Sequence, residues 1–73
     1  MDNEISFSDV LEEFLIVKDL SQTAFAQMVG IKQSQVSEWL KGKAKPGYDM
    51  LKRMAIAFNV SADFWLGLTE KME

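Results

Sequence analysis

The sequence predicts an all-α domain built from five short helices. Apolar residues recur every third or fourth position in several segments, and no segment shows the apolar–polar alternation that is typical of a strand. Serine residues precede several of these segments, and glycine or asparagine residues follow them, as expected for helix caps and helix stops. The 73 residues, 48% of them hydrophobic, suffice for one small core. We therefore expect a single domain over residues 1–73, with an ordered core of about 6–67.

The first two helices are predicted over residues 7–17 and 22–28. Ser6 or Ser8 is the expected N-cap of the first helix, whose early turns contain acidic side chains that suit the positive end of the helix dipole. Ser21 is the expected N-cap of the second helix, and Gly30 suits the positive φ that often ends a helix. The apolar residues of the first helix that follow helical spacing are Phe7, Leu11, Phe14 and Leu15.

The remaining three helices are predicted over residues 33–41, 48–58 and 62–66. A loop follows the third helix, because Pro46 and two glycines interrupt the chain there. Asn59 is the expected stop of the fourth helix, and Ser61 is the expected cap of the fifth. Phe64 and Trp65 are adjacent, so we expect one to be buried and the other to be partly exposed. Tyr48 and Met50 are expected to be packing residues of the fourth helix. The residues expected on one face of this helix are Tyr48, Leu51, Met54, Ala55 and Phe58.

The composition argues against an enzyme and against a bound cofactor. The chain contains no cysteine and no histidine, which removes disulfides, thiolate metal sites and the commonest general base. Glu12 and Glu13 are sequence neighbours that point apart on a helix, whereas a catalytic carboxylate pair must face one cleft. No apolar run is long enough to span a bilayer, and no basic-then-apolar signal precedes the first helix. We therefore expect a cytoplasmic protein without a metal, a cofactor, a small-molecule substrate or a membrane partner.

The charged residues are distributed unevenly along the chain. The net charge is −3, but residues 18–53 contain seven basic and three acidic residues, a balance of +4. Residues 1–17 contain five acidic residues and no basic ones, and residues 54–73 have a balance of −2. Attraction to phosphate depends on the local potential, so the middle of the chain is suited to nucleic acid despite the acidic ends. An ordinary solvated surface explains this distribution equally well when it is considered alone.

Residues 22–41 meet the requirements of a helix-turn-helix. Two helices that meet at a steep angle need a short turn, often with a glycine, and close contact where they cross. Ala26 supplies a small residue for the crossing, and Gly30 lies in the turn. The apolar residues that must bury the inner faces of both helices are present at Phe25, Val29, Ile31, Val36 and Trp39. The spacing therefore predicts a helix-turn-helix formed by helices two and three.

The third helix has a polar face opposite its predicted core side. Glutamine can bind adenine through both atoms of its amide, serine can donate or accept, and a glutamate can accept from a cytosine amino group. A solvent-exposed face is the simpler interpretation for an arbitrary helix, and the helix-turn-helix spacing favours a face that reads base edges here. The helical period places on this face Gln33, Ser34, Ser37, Glu38 and Lys41.

Residues 20–67 resemble the helix-turn-helix family of temperate-phage repressors, which includes the Cro and lambda-repressor DNA-binding domains. The resemblance implies a five-helix lambda-repressor-like fold and a sequence-specific regulator of transcription that binds double-stranded DNA, most simply a phage or prophage repressor. It also implies a homodimer, at least on DNA, a near-palindromic operator, and the nucleoid of a bacterial host cell as the place of action. The similar positions outside the helix-turn-helix are Gly42-Lys43, Pro46, Asn59-Val60-Ser61, Asp63 and Leu66-Gly67.

The resemblance also implies a role for each polar residue of this region. Gln22 would contact a backbone phosphate and would brace Gln33. Gln33 and Ser34 would read base edges at the start of the third helix, Glu38 would read further along, and Ser37 lies on the same face. The residues expected to contact the DNA backbone are Lys41, Lys43 and Lys45 in the loop, with Lys32 and Gln35 beside the reading face.

The first helix departs from the family pattern. Leu15 and Leu40 stand where relatives commonly carry an arginine and its acidic partner, and an apolar replacement of an ion pair can preserve the fold. Val10, Ile16 and Val17 are apolar where relatives are usually polar, and we expect them to extend the core against helix five or to belong to an end that becomes ordered. The alternative is an apolar patch for a partner or for a dimer mate. The alternative function is a protein-interaction module or an antitoxin-type autoregulator whose partner binds this helix. A complete small repressor and the N-terminal domain of a longer one both fit the sequence.

Overall fold

The computed structural model describes residues 6–69, and five α-helices without a strand make up the fold in this range. The predicted all-α, five-helix architecture is therefore confirmed. Each helix begins and ends within one residue of its predicted position. The helices are α1 (Phe7–Lys18), α2 (Gln22–Val29), α3 (Gln33–Leu40), α4 (Tyr48–Phe58) and α5 (Ala62–Trp65).

Serine hydroxyls cap three of the helices at their N-termini. The Oγ atoms of Ser6, Ser21 and Ser61 accept hydrogen bonds of 3.3, 3.0 and 3.4 Å from the backbone N–H groups three residues further on. At α1 the Asp9 carboxylate also accepts from the backbone N–H of Ser6, which completes a capping box. The N-cap of α1 is therefore Ser6 and not Ser8. Such caps satisfy backbone donors that the helix itself leaves free.

Three of the helices end on a residue in the left-handed backbone conformation. Gly30 ends α2 with a φ of 88° and Asn59 ends α4 with a φ of 54°, as the sequence predicts. Asp19 ends α1 with a φ of 56°, and its position was not predicted. Aspartate and asparagine tolerate this conformation better than other residues with a Cβ, so Asp19 serves as a stop where glycine is absent.

Four of the five helices, α1, α2, α4 and α5, contribute rings to an aromatic core centred on Phe14. Its ring centroid lies 4.7 Å from that of Trp65, 5.0 Å from that of Phe58 and 6.1 Å from those of Phe25 and Phe64. The rings of Phe25 and Phe58 stack with their centroids 5.0 Å apart. Close-packed aromatic rings bury large apolar areas, so this cluster is the main source of stability in so short a chain.

Two sequence-based expectations about aromatic residues are wrong. Phe64 and Trp65 are both buried, because α5 is a single turn that packs against α1 and α4 and is covered on two sides. Tyr48 is not a core residue, since 78% of its surface is exposed. It is the first residue of α4, and the inward-facing part of that helix begins only at Met50.

The apolar residues of α1 divide between the core and the surface. Val10 is buried as expected, but Ile16 and Val17 are 71% and 58% exposed, so the expectation that they extend the core is wrong. The inward face of α1 already contains four buried residues, and the helical period turns Ile16 to the opposite side and Val17 to the flank. Leu15 and Leu40 line the same surface depression beside Leu20. Among residues 6–69, no helix is long and apolar enough to cross a membrane.

Candidate nucleic-acid interface

Helices α2 and α3 pack closely against each other through a tight turn at Gly30. The backbone N–H groups of Gly30 and Ile31 both donate to the carbonyl oxygen of Ala26, at 2.8 and 2.9 Å, so the chain leaves the helical path immediately after α2. A Cβ added at Gly30 would lie 3.8 Å from Nη1 of Arg53, which is an ordinary contact distance. The positive φ, rather than a lack of space, therefore favours glycine at this turn.

The inner faces of both helices are buried as the sequence predicts. Phe25, Val29, Val36 and Trp39 are each no more than 3% exposed, whereas Ile31 is half-buried at the edge of the turn. The indole ring of Trp39 also meets the Phe7 ring of α1 edge to face, with centroids 5.6 Å apart. Helix α3 is therefore held from two sides, and its remaining face is turned to solvent.

The exposed face of α3 consists of the polar residues singled out in the sequence. Gln33, Ser34 and Glu38 are exposed, and Ser37 is half-buried. Within residues 6–69 the side chains of Ser34 and Glu38 make no hydrogen bond or ion pair with the protein. Their donors and acceptors are consequently available to a ligand on this side of the domain.

A hydrogen bond between two glutamines joins the first residues of α2 and α3. Nε2 of Gln33 donates to Oε1 of Gln22 at 2.7 Å, so the contact implied by the family resemblance is present. Gln33 keeps one amide N–H and its Oε1 free, which are the two groups that a bidentate contact with adenine requires. Gln22 keeps both of its amide N–H groups, which are suited to a phosphate oxygen.

Basic side chains lie on both sides of this face. Lys32 precedes α3, and Lys41, Lys43 and Lys45 follow it, and all four are exposed. The backbone N–H of Lys43 donates to the carbonyl oxygen of Glu38 at 3.0 Å, which folds the loop back onto the last turn of α3. In the part of the chain that the structure describes, none of these lysines forms an ion pair with a carboxylate.

Two further residues contribute to this surface in different ways. Gln35 is exposed and lines a depression together with Lys45 and the start of α4, so it lies beside the polar face formed by Gln33, Ser34 and Glu38. Arg53 was not singled out in the sequence, although its guanidinium lies next to the turn at Gly30. A positive charge is favourable there, because the C-terminal end of α2 carries the negative end of the helix dipole. Its spacing within α4 gives no signal of this contact between helices.

Comparison with known families agrees with the geometry. A tight turn between two packed helices, with a polar exposed face on the second, defines a helix-turn-helix DNA-binding module. Residues 11–65 match the model of a family described as Helix-turn-helix, and this range covers more than half of the chain. The chain belongs to this family, in its Cro and lambda-repressor type, and is a DNA-binding regulator of transcription. Comparisons with curated proteins and with solved structures found no match.

Proposed function

We propose that this chain is a sequence-specific repressor of the phage or prophage type that reads the major groove with α3 and the following Lys41. The observation that carries this proposal is the hydrogen bond between Gln22 and Gln33. It holds the amide of Gln33 in place at the N-terminal end of α3, where side chains reach base edges in helix-turn-helix complexes. A glutamine without a partner would have to be ordered by the DNA itself, at an entropic cost.

The proposed base contacts come from the exposed face of α3. Gln33 binds adenine through its free N–H and Oε1, and Ser34 donates to or accepts from the neighbouring base. Glu38 accepts from a cytosine amino group one turn further along, and Ser37 contributes from the same side where its half-buried hydroxyl reaches the groove. These contacts determine the sequence that is bound.

The proposed phosphate contacts come from residues around that face. Gln22 donates to a phosphate at the start of α2, and the exposed residues Lys32 and Gln35 lie at the edges of the reading face. Lys41, Lys43 and Lys45 contact the backbone beyond the end of α3. Such contacts fix the orientation of the domain on DNA and make its affinity depend strongly on salt.

The proposed DNA-bound state is a two-fold dimer on a near-palindromic operator within the cytoplasm of a bacterial host. One α3 covers only a short half-site, and a second copy doubles the sequence that is read. Ile56 and Leu68 are each 72% exposed, and a dimer contact that buries either of them would be favourable. The dimer places the two copies of α3 about one DNA turn, or roughly 34 Å, apart.

Selection from random duplex DNA tests this proposal. We expect an enriched near-palindrome, and a logarithm of affinity that falls linearly with the logarithm of salt concentration. A protein in which the reading face is replaced, Gln33→Ala with Ser34→Ala, serves as the control and should bind without enrichment. If the unmodified protein enriches no sequence even at low salt, sequence-specific repression is wrong for this chain.

A second candidate function rests on the outer face of α1. The exposed Ile16 and Val17 line one shallow depression with the carboxylates of Asp9, Glu12 and Glu13. An apolar strip beside three acidic groups complements a basic amphipathic helix, and two such faces repel each other. We propose that a protein-interaction module or an antitoxin-type autoregulator would use this face for a basic partner.

A pair of peptides of equal length tests the α1 face. A helical peptide of Lys and Leu should bind at least tenfold more tightly than its Glu and Leu counterpart, with an affinity that decreases at high salt. Ile16→Ser combined with Val17→Ser should weaken binding of the first peptide, while Ile56→Ser, a change at an equally exposed isoleucine, should not. Equal affinities for the two peptides would exclude this candidate.

A further inference from the structure

A cleft of about 310 Å³ lies where α1, the loop before α4, α4 itself and α5 come together. Phe7 and Val10 of α1 and Leu51 of α4 form apolar walls, Trp65 of α5 lines its inner side, and Lys45 belongs to the loop at its edge. Its volume is at the lower end of the range found for small-molecule sites. None of the residues proposed to read bases lines this cleft.

Trp65, which lines this cleft, also carries an unused hydrogen-bond donor. The residue is only 1% exposed, and its Nε1 atom is buried without a hydrogen-bond partner in the part of the chain that the structure describes. Nearly all buried donors in folded proteins have an acceptor, because a buried N–H without one is unfavourable. An acceptor from outside the chain would remove this penalty once a small movement of the side chains around the cleft exposes the N–H.

Lys45 determines which kind of acceptor fits. The residue is exposed and lines the cleft, and no carboxylate of residues 6–69 pairs with it. We propose that the cleft binds a small apolar carboxylate, whose chain contacts Phe7, Val10 and Leu51 and whose head group accepts from the Trp65 N–H and faces Lys45. A charged acceptor makes the stronger hydrogen bond with an N–H and is also attracted to the lysine.

Occupation of the cleft would change the affinity for DNA. Lys45 is one of the lysines proposed to contact phosphate, so a carboxylate bound next to it competes for the same charge. The molecule would act as an effector that weakens operator binding, and by linkage the operator would weaken binding of the molecule by the same factor. This consequence rests on the proposed function, whereas binding in the cleft does not.

The test is a titration of ¹⁵N-labelled protein with octanoate below its micellar range, without DNA. The chain has two tryptophans, so Trp65→Phe assigns the two indole N–H resonances. We expect a saturable downfield shift for Trp65, a smaller one for Trp39, and weaker binding of octanol, which lacks the carboxylate. Lys45→Gln should weaken octanoate binding about threefold to tenfold, whereas Lys43→Gln, a change in the same loop outside the cleft, should leave it unchanged.

The outcomes of this titration are distinct from those of the DNA experiment. The proposed site would be wrong if the Trp65 indole resonance showed no saturable shift. It would also be wrong if, in the presence of octanoate, a long-lived water and not the carboxylate were bound to that indole N–H. Equal weakening by Lys43→Gln and Lys45→Gln would also overturn it, since it would indicate attraction to the loop as a whole. If Trp65→Phe does not fold, the comparison of Lys45→Gln with Lys43→Gln still tests whether octanoate binds in the cleft. If octanoate shifts Trp65 but leaves operator affinity unchanged, the effector role is wrong while the site stands.

Discussion

Oε1 of Gln22 accepts a hydrogen bond of 2.7 Å from Nε2 of Gln33, and this contact connects the first residue of α2 to the first residue of α3. Both side chains lie at the surface, Gln33 exposed and Gln22 half-buried. A solvent-accessible hydrogen bond between neutral side chains adds little to the stability of the free protein. Its effect should therefore appear in DNA binding, where an ordered Gln33 has already lost the conformational freedom that binding would otherwise remove.

Gln33→Ala and Lys43→Ala should weaken DNA binding in different ways. We expect Gln33→Ala to lose about 1–3 kcal/mol of binding free energy and to lose discrimination at one base position, because a base contact is removed. Lys43→Ala should weaken binding to all DNA sequences equally, because a phosphate contact is removed. It should also reduce the slope of log affinity against log salt concentration by about one. Affinities for a panel of single-base operator variants, measured over a salt series, separate the two. Identical profiles would contradict the assignment of Gln33 to bases.

Gln22→Ala and Gln33→Ala should be non-additive. If Gln22 acts through Gln33, the double variant should lose less binding free energy than the two single variants together, by about 0.5–1.5 kcal/mol. Fluorescence anisotropy with the selected operator measures all four corners of this cycle. Gln27→Ala, a change at an exposed glutamine of the same helix, is the matched control and should add independently to Gln33→Ala. Additive losses for Gln22 and Gln33 would show that the hydrogen bond has no role on DNA.

Gly30→Ala should destabilise the domain by about 1–2 kcal/mol, because alanine is strained at the φ of 88°. Gly30→Asn should lose less stability than Gly30→Ala, although asparagine is larger, because asparagine tolerates the left-handed conformation. Urea unfolding followed by circular dichroism measures both variants. If the asparagine variant were the less stable one, lack of space beside Arg53 would be the cause instead.

Phe14→Ala should lower the free energy of unfolding by about 3–5 kcal/mol, since a fully buried ring that contacts four others is removed. That loss is comparable with the total stability of a small domain, so much of the variant should be unfolded. Ile56→Ala removes an exposed apolar side chain and should change stability by less than about 0.5 kcal/mol. Thermal unfolding of both variants checks the contrast, and similar losses would contradict the burial seen at Phe14.

Local chemistry in the sequence is sufficient to predict the helices and the helix-turn-helix. Ser21 and Gly30 mark the ends of α2 through hydrogen bonding and backbone conformation, which act over a few residues. Asp19 was missed as a stop because aspartate occurs in many local settings and glycine in few. Likewise, the polar face of α3 follows from the helical period once its core side is known.

Features that depend on packing between distant segments could not be predicted. To predict the burial of both Phe64 and Trp65, one must know where α5 lies relative to α1 and α4. To predict the contact of Arg53 with the turn, one must know where α4 lies relative to α2. The exposure of Ile16 and Val17 was missed because apolar character alone does not show how wide the inward face of α1 is. The cleft at Trp65 combines three helices and a loop, so no single segment contains its signal.

On the proposed function, the residues that determine stability and those that determine operator preference form almost separate sets in this domain. Every fully buried side chain within residues 6–69 is apolar, whereas Gln33, Ser34 and Glu38 are exposed and only Gln33 bonds to another side chain. Mutations on that face can therefore accumulate without a loss of folding, and only Ser37, which is half-buried, belongs partly to both sets. If the proposed base contacts are made, an engineer can exchange these side chains to redirect the domain to a new operator while the fold is preserved.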